Sequence, residues 1–157
     1  MLPSDRTSDG KRAHWGARVQ HCSRVAADPS QPNLRQLHHI HDALFGYLAE
    51  RGFNVGAGDL GENITTTGMD LLDLPVGAVL KNGSDALLVA TGLRNPCLQI
   101  DNFQDGLLEC VRFRDDEGEL VRLAGIMTVV VGGGVVRPGD VIEVSMPPLP
   151  LNRLRPV

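Results

Sequence analysis

Residues 78–91, Ala78-Val79-Leu80-Lys81-Asn82-Gly83-Ser84-Asp85-Ala86-Leu87-Leu88-Val89-Ala90-Thr91, decide the fold class. Two short apolar runs, Ala78–Leu80 and Ala86–Thr91, flank Asn82-Gly83, a dipeptide that tolerates the positive φ angles of a tight hairpin. The same punctuation continues downstream. Leu107–Phe113 and Leu120–Val131 flank Asp115-Asp116-Glu117-Gly118, which reads as a second hairpin turn. Arg137-Pro138-Gly139-Asp140 has proline and glycine where a type II turn wants them, and Val141–Met146 follows as a last strand. Short strands spaced this regularly predict a barrel or sandwich rather than alternating β-α units. The end of the chain, with Pro147, Pro148, Pro150 and Pro156, cannot continue a central strand.

Upstream of residue 78 the period changes to that of a helix. Ala43, Leu44, Tyr47 and Leu48 share one helical face, with Asp42 near the start and Arg51 and Gly52 at the end supplying boundaries of the right polarity. A short strand over Arg35–Ile40 is expected before it. Asp28–Asn33 is a loop, Arg18–Ala26 has the partial alternation of a short strand, and residues 1–12 are a polar stretch without period.

A chain of 157 residues suits one domain with a sizeable core. The net charge of −4, with no basic run interleaved with aromatics, argues against a nucleic-acid partner. No signal-peptide or membrane-spanning pattern is present, and three widely spaced cysteines, Cys22, Cys97 and Cys110, suggest no disulfide framework. A cytoplasmic protein with no membrane partner is the expectation. Only Lys11 and Lys81 among the fifteen cations are lysines. An arginine bias suits an anionic ligand, because guanidinium groups grip oxyanions through a fork of donors, although genomic composition would explain it equally well.

Several motifs invite functions that their context denies. Gly56-Ala57-Gly58-Asp59-Leu60-Gly61 spells G-x-G-x-x-G, but a helix ends just before it and a β-branched run follows, the reverse of a dinucleotide-binding setting. Asp59 and Glu62 would also face a pyrophosphate with negative charge. Gly132-Gly133-Gly134 lacks the Lys-Ser/Thr pair of a P-loop and reads as a loop or bulge closing a strand. His39 and His41 would share one face of a strand, and Cys22 adjoins His21, yet no spacing is that of structural zinc, and hydrogen-bonded or exposed histidines are the plainer reading. No serine sits in a nucleophile-elbow setting.

One thiol stands apart. In Gly92-Leu93-Arg94-Asn95-Pro96-Cys97, Cys97 follows a proline that fixes the backbone and lies three residues after a cation that favours a thiolate. It reads either as a reactive sulfur or as a small buried hydrophobe, and His14, His21 or His39 could meet it in space.

Gly58-Asp59-Leu60-Gly61-Glu62-Asn63-Ile64-Thr65-Thr66, followed some thirty residues later by Thr91-Gly92-Leu93-Arg94-Asn95-Pro96-Cys97 and then by Arg137-Pro138-Gly139-Asp140, resembles the MOSC domain family, named for the C-terminal domain of molybdenum cofactor sulfurases. The resemblance implies a mainly β protein, an antiparallel β-barrel with one principal helix and minor ones, spanning residues 14–146 between a polar segment (1–13) and a proline-rich one (147–157). It implies that the Gly-Glu-Asn loop and the cysteine loop meet at one mouth. Carried over by position, Cys97 would be the catalytic sulfur and metal ligand, Glu62, Asn63, Thr65 and Thr66 would line or shape the pocket, Arg94 would hold an anionic part of the cofactor, and His14 matches a histidine that similar proteins keep near the start of the domain.

Two functions follow from that resemblance, and a third, of a different class, stands beside them. The first is a molybdenum-pterin-dependent oxidoreductase that reduces N-hydroxylated compounds with electrons from a partner; the second is a sulfur carrier on which Cys97 forms a persulfide supplied by a desulfurase. The third is a non-catalytic module that binds an anionic metabolite at the barrel mouth. Pyridoxal phosphate is not expected, because the two lysines lie in a polar terminal stretch (Lys11) and a hairpin (Lys81). Similar domains begin with a further strand before the histidine, whereas Lys11-Arg12-Ala13 precede His14 here, so the expectation is a barrel that either lacks an edge strand or borrows its closure from a partner, and with it a homo-oligomer.

Overall fold

The computed structural model describes residues 30–157. Eight strands and two α-helices follow in order: β1 Leu37–His41, α1 Ala43–Ala49, β2 Ile64–Thr66, β3 Val79–Asn82, β4 Ala86–Leu93, α2 Leu107–Val111, β5 Arg112–Arg114, β6 Leu120–Arg122, β7 Ile126–Gly132 and β8 Ile142–Ser145, with a 3₁₀ turn at Leu98–Ile100 between β4 and α2. Six strands form one sheet in the order β2-β1-β7-β4-β3-β8, curled into a half-barrel, and β5 and β6 pair separately. The protein is mainly β with one main helix, as the sequence predicts. All pairings are antiparallel except that of β1 with β2, which is parallel.

Alternation explains the sheet. Along β4, Ala86, Leu88, Ala90 and Gly92 are buried while the residues between them are not, the period-2 signature of a strand with one face on a core. Leu80, Leu88, Ala90, Ile126 and Leu71 form that core. β1 differs, because four of its five residues are buried. It lies between β2 and β7, with Leu37 in the first core and Ile40 in a second, built with Leu44 and Leu48 of α1 and Leu107 and Val111 of α2.

Helix α1 ends as predicted: Arg51 Nη1 donates to the Tyr47 carbonyl at 2.9 Å, its guanidinium lies 3.5 Å over the Tyr47 ring, and Gly52 takes φ +85°. Asp42 makes no side-chain cap. The first helical N–H, of Ala43, donates instead to Nδ1 of His41.

Three expectations need correction. Leu107–Val111 is helical, not the start of a strand. An apolar run this short carries no decisive period, and Leu107, Leu108 and Val111 bury one helical face, while the Leu108 N–H is capped by Asp101 Oδ1 at 2.7 Å. Cys110 therefore sits on a helix. The run Leu120–Val131 is broken between β6 and β7, where Gly125 takes φ +82° and a Cβ would collide with the His39 carbonyl. In the first hairpin Asn82 pairs with Ala86 as the last residue of β3, and the turn is Gly83-Ser84-Asp85. The Asn82 side chain is wholly buried, with neither amide atom hydrogen-bonded within the described structure.

The proline-rich end is not a strand, but neither is it idle. Leu154 is buried in the first core, and the Leu93 N–H and carbonyl bond to the Arg155 carbonyl and the Val157 N–H. Among the described residues no helix is long and apolar enough to cross a membrane.

Candidate functional site

The glycine loop at residues 56–61 occupies its own donors. Gly56 N–H donates to Asp59 Oδ2 at 2.8 Å and Gly58 N–H to Glu62 Oε1. The carboxylates that seemed hostile to a pyrophosphate are thus internal braces of the turn, and the dinucleotide reading fails on geometry as well as context. Glu62 is buried; Thr65 Oγ1 approaches the same Oε1 at 3.4 Å, while Oε2 is buried without a hydrogen-bond partner.

Asn63 fastens this loop to β1. Its side-chain oxygen accepts the His38 N–H at 2.8 Å and its own N–H donates to the His38 carbonyl at 2.8 Å, a reciprocal pair that sets the parallel register of β2. Thr65 is exposed, whereas Thr66 is buried with its hydroxyl 3.4 Å from the Ile40 carbonyl. Of the expected pocket residues, Asn63 and Thr66 therefore secure the strand edge, and Glu62 braces the turn.

The second motif leaves β4 at Arg94, whose N–H donates to the Gly125 carbonyl at 2.9 Å. Cys97 follows in extended conformation (φ −127°, ψ 174°) and starts the 3₁₀ turn, its carbonyl accepting the Ile100 N–H at 3.0 Å. The Cys97 side chain is exposed, and among the described residues its thiol has one hydrogen-bond contact, with Gln99 Oε1 at 3.8 Å. The buried-hydrophobe reading is excluded. Cys110 is half-buried against the second core.

Arg94 is half-buried. Burial pushes the pKa of its guanidinium down and the nearby Cys97 sulfur pushes it up. No hydrogen bond or ion pair joins the guanidinium to any other described residue; the acid–base contacts among these residues, Lys81–Glu143 and the His41 ring beside Asp42, lie elsewhere. A half-buried cation with donors unused among the described residues, beside an exposed thiol, has the chemistry to receive an anion.

His38 links the two motifs, and sequence reasoning missed it. Its Nε2–H donates to the Ala124 carbonyl, the Gly61 carbonyl also lies near its ring, and the Arg94 charge reaches it. Burial, chiefly, lowers its pKa to about 4, so the ring is neutral near pH 7. The Gly-Glu-Asn loop and the Ala124-Gly125 break, whose Gly125 carbonyl receives the Arg94 N–H, therefore meet at one buried imidazole. The signal available was the pair His38-His39 inside an apolar strand, where one ring must fall on each face. His39 takes the other face, fully buried, with Nε2 3.0 Å from Thr128 Oγ1. His14, His21 and Cys22 lie outside the described residues.

Among the described residues no three His, Cys, Asp or Glu side chains converge as a metal-binding group. A cavity of about 480 Å³, lined chiefly by apolar residues including Leu44, Met69, Leu72 and Leu123, borders none of Cys97, Arg94 and Glu62. Its one point in common with the site is Gly125, whose carbonyl receives the Arg94 N–H.

Comparison with known proteins settles the ancestry. A family model described as the MOSC domain matches residues 15–143. The chain belongs to the MOSC domain family. Similar solved structures include YiiM from Geobacillus stearothermophilus (TM-score 0.60, 24% identity, 73% of this chain and 56% of that one) and YiiM from Escherichia coli (0.58, 18%, 75% and 58%). The YuaD protein from Bacillus subtilis aligns with TM-score 0.67 and 24% identity over 83% of this chain and 76% of its own. At these identities the likeness establishes the fold, and the chain spans little more than half the length of either YiiM protein. Among curated proteins none matches.

Proposed function

We propose that this MOSC domain holds an anionic molybdenum-pterin group, with Cys97 as the protein's ligand to the metal, and reduces N-hydroxylated compounds with electrons from a partner. The observation that carries the reading is the exposed Cys97 thiol beside Arg94, a half-buried cation to which the described residues offer no counter-ion. The donor set fits. A soft thiolate that belongs to no three-ligand group among the described residues suits a metal that arrives already ligated by a carrier molecule, not a bare ion. Molybdenum bound there would supply the redox change and the oxygen exchange. The chain's own residues supply placement: Cys97 presents sulfur at the start of a 3₁₀ turn, Arg94 neutralises negative charge, and Glu62 and Asn63 fix the loop that packs against His38.

The test is metal and pterin analysis of the protein made in a cofactor-competent host, beside Cys97→Ala. The expected result is molybdenum and pterin retained by the wild type and lost from the variant. Equal content in both would sink the reading.

A second reading rests on the accessibility of the same turn, where Leu98, next to the thiol, is 75% exposed. A protein partner could reach Cys97 directly. As a sulfur carrier, the Cys97 thiolate would attack the outer sulfur of a desulfurase persulfide, forming a new S–S bond as the donor's breaks and the donor leaves as thiolate. A mass gain of one sulfur on Cys97 after incubation with a desulfurase, in protein that binds no molybdenum, selects this reading. Anion binding unaffected by Cys97→Ala, with neither metal nor sulfur acquired, is the result expected of a non-catalytic module.

A further inference from the structure

The turn carrying Cys97 is held by a part of the chain that belongs to neither sequence motif. Two guanidinium groups reach it from the small β5-β6 hairpin. Arg112 Nη1 donates to the Pro96 carbonyl at 3.2 Å, and Arg122 Nε donates to Asn95 Oδ1 at 3.1 Å. These acceptors are the two residues immediately before the thiol. On the far side of the turn, Asp101 Oδ1 accepts the Leu108 N–H of α2. The excursion from α2 through β6 thus brackets the loop at both ends.

Arg112 and Arg122 are also direct cross-strand partners. Like charges at opposed positions on a hairpin are unfavourable, and the usual remedy is a carboxylate between them. Neither arginine has one among the described residues, since Asp101 is engaged with α2 and the two acid–base contacts lie elsewhere. Most of their N–H donors are unused, because Arg112 makes one hydrogen bond and Arg122 one good one and a long contact to the Leu120 carbonyl. With Arg94 these are three cations on the segment Arg94–Cys97 with no carboxylate partner among the described residues, in a chain whose net charge is −4.

We propose that Arg112 and Arg122 are positioning residues for Cys97: they clamp Asn95-Pro96 and maintain a positive field at the sulfur that favours anionic reactants. The proposal deepens the reading of Cys97 as the functional sulfur and rests on it. It is tested without the cofactor. Full-length protein made without cofactor is alkylated with iodoacetate, an anion, and with iodoacetamide, its neutral analogue, and the rates at Cys97 are read by peptide mass.

The ratio of the two rates should exceed that of N-acetylcysteine amide. It should fall on the order of threefold in Arg112→Gln and again in Arg122→Gln, the size expected for loss of one partly screened charge nearby. Lysine at either position restores the ratio, because it restores the charge. Asn95→Ala keeps every charge and leaves the ratio unchanged, but removes the acceptor of Arg122 and speeds hydrogen exchange at the Ile100 N–H, which the turn protects. Since Asn95 is exposed, this variant remains informative if the arginine variants fail to fold. A ratio unmoved in both glutamine variants, or unchanged Ile100 exchange in Asn95→Ala, overturns the proposal. Wild-type protein that binds no molybdenum while the ratio still shifts would overturn the cofactor reading alone.

Discussion

His38 and His39 show how much two adjacent residues can fix when a strand is buried on both faces. One ring ties the Gly-Glu-Asn loop to Ala124, next to the Gly125 carbonyl that receives the Arg94 N–H, and the other anchors β1 to Thr128 of β7. Burial lowers both pKa values, to about 4 for His38 and about 3 for His39, where the His38 charge adds to the effect. Unfolded histidines titrate near 6.5. Below that pH the unfolded chain takes up protons that the native protein refuses, so stability is full above pH 6.5 and falls as pH drops toward 4. Between pH 6 and 5 each histidine costs about 1.2 kcal/mol, and the two together about 2.4 kcal/mol. Urea unfolding across this range should show that slope, and His39→Gln should halve it. A stability that is flat from pH 7 to 5 would show that the imidazoles are not held neutral.

At the scale of elements, the break between β6 and β7 separates the Cys97 scaffold from the main sheet. Gly125 makes the break by combining a left-handed backbone with contact against the His39 carbonyl, and its own carbonyl receives the Arg94 N–H. Gly125→Ala should cost at least ~3 kcal/mol, from backbone strain and a clash with backbone that cannot yield. Gly133→Ala, at a position with open space and ordinary φ, should change stability by less than ~0.5 kcal/mol in the same chemical-unfolding measurement. The elements that sequence reading recovered are those with local signals: the hairpin at Gly83, the Pro138-Gly139 turn, and α1 with its arginine and glycine at the end. Those it missed depend on distant partners. Leu107–Val111 is a helix because it packs on α1 and β1, and Asn82 is buried because β8 covers β3. The candidate site divides in the same way. Cys97 and Arg94 were legible from their neighbours, whereas His38, Arg112 and Arg122 are defined by contacts with residues 16 to 86 positions away.

Across the whole molecule, the proline-rich end connects the core to the site. Pro75 bridges Arg153, the Val76 N–H donates to the Asn152 carbonyl at 2.8 Å, and Leu154 enters the core between these contacts and those to Leu93. Gly92 carries no side chain because a Cβ there would strike the Arg155 carbonyl and Val157. The segment thus lies directly on the last two residues of β4, and the residue after them is Arg94. Leu154→Ala should cost roughly 2–4 kcal/mol, as a buried leucine does. Removing residues 152–157 should do something Leu154→Ala does not. It deletes both backbone partners of Leu93, so the Leu93 amide loses its acceptor and the end of β4 is held by β7 alone. Hydrogen exchange should then quicken at Leu93 and, through it, at Arg94, while Leu88 and Val89 in the middle of β4 change only with global stability. If Arg94 stays as protected as in the intact chain, the end of the molecule stabilises the core without governing the geometry of the cysteine loop.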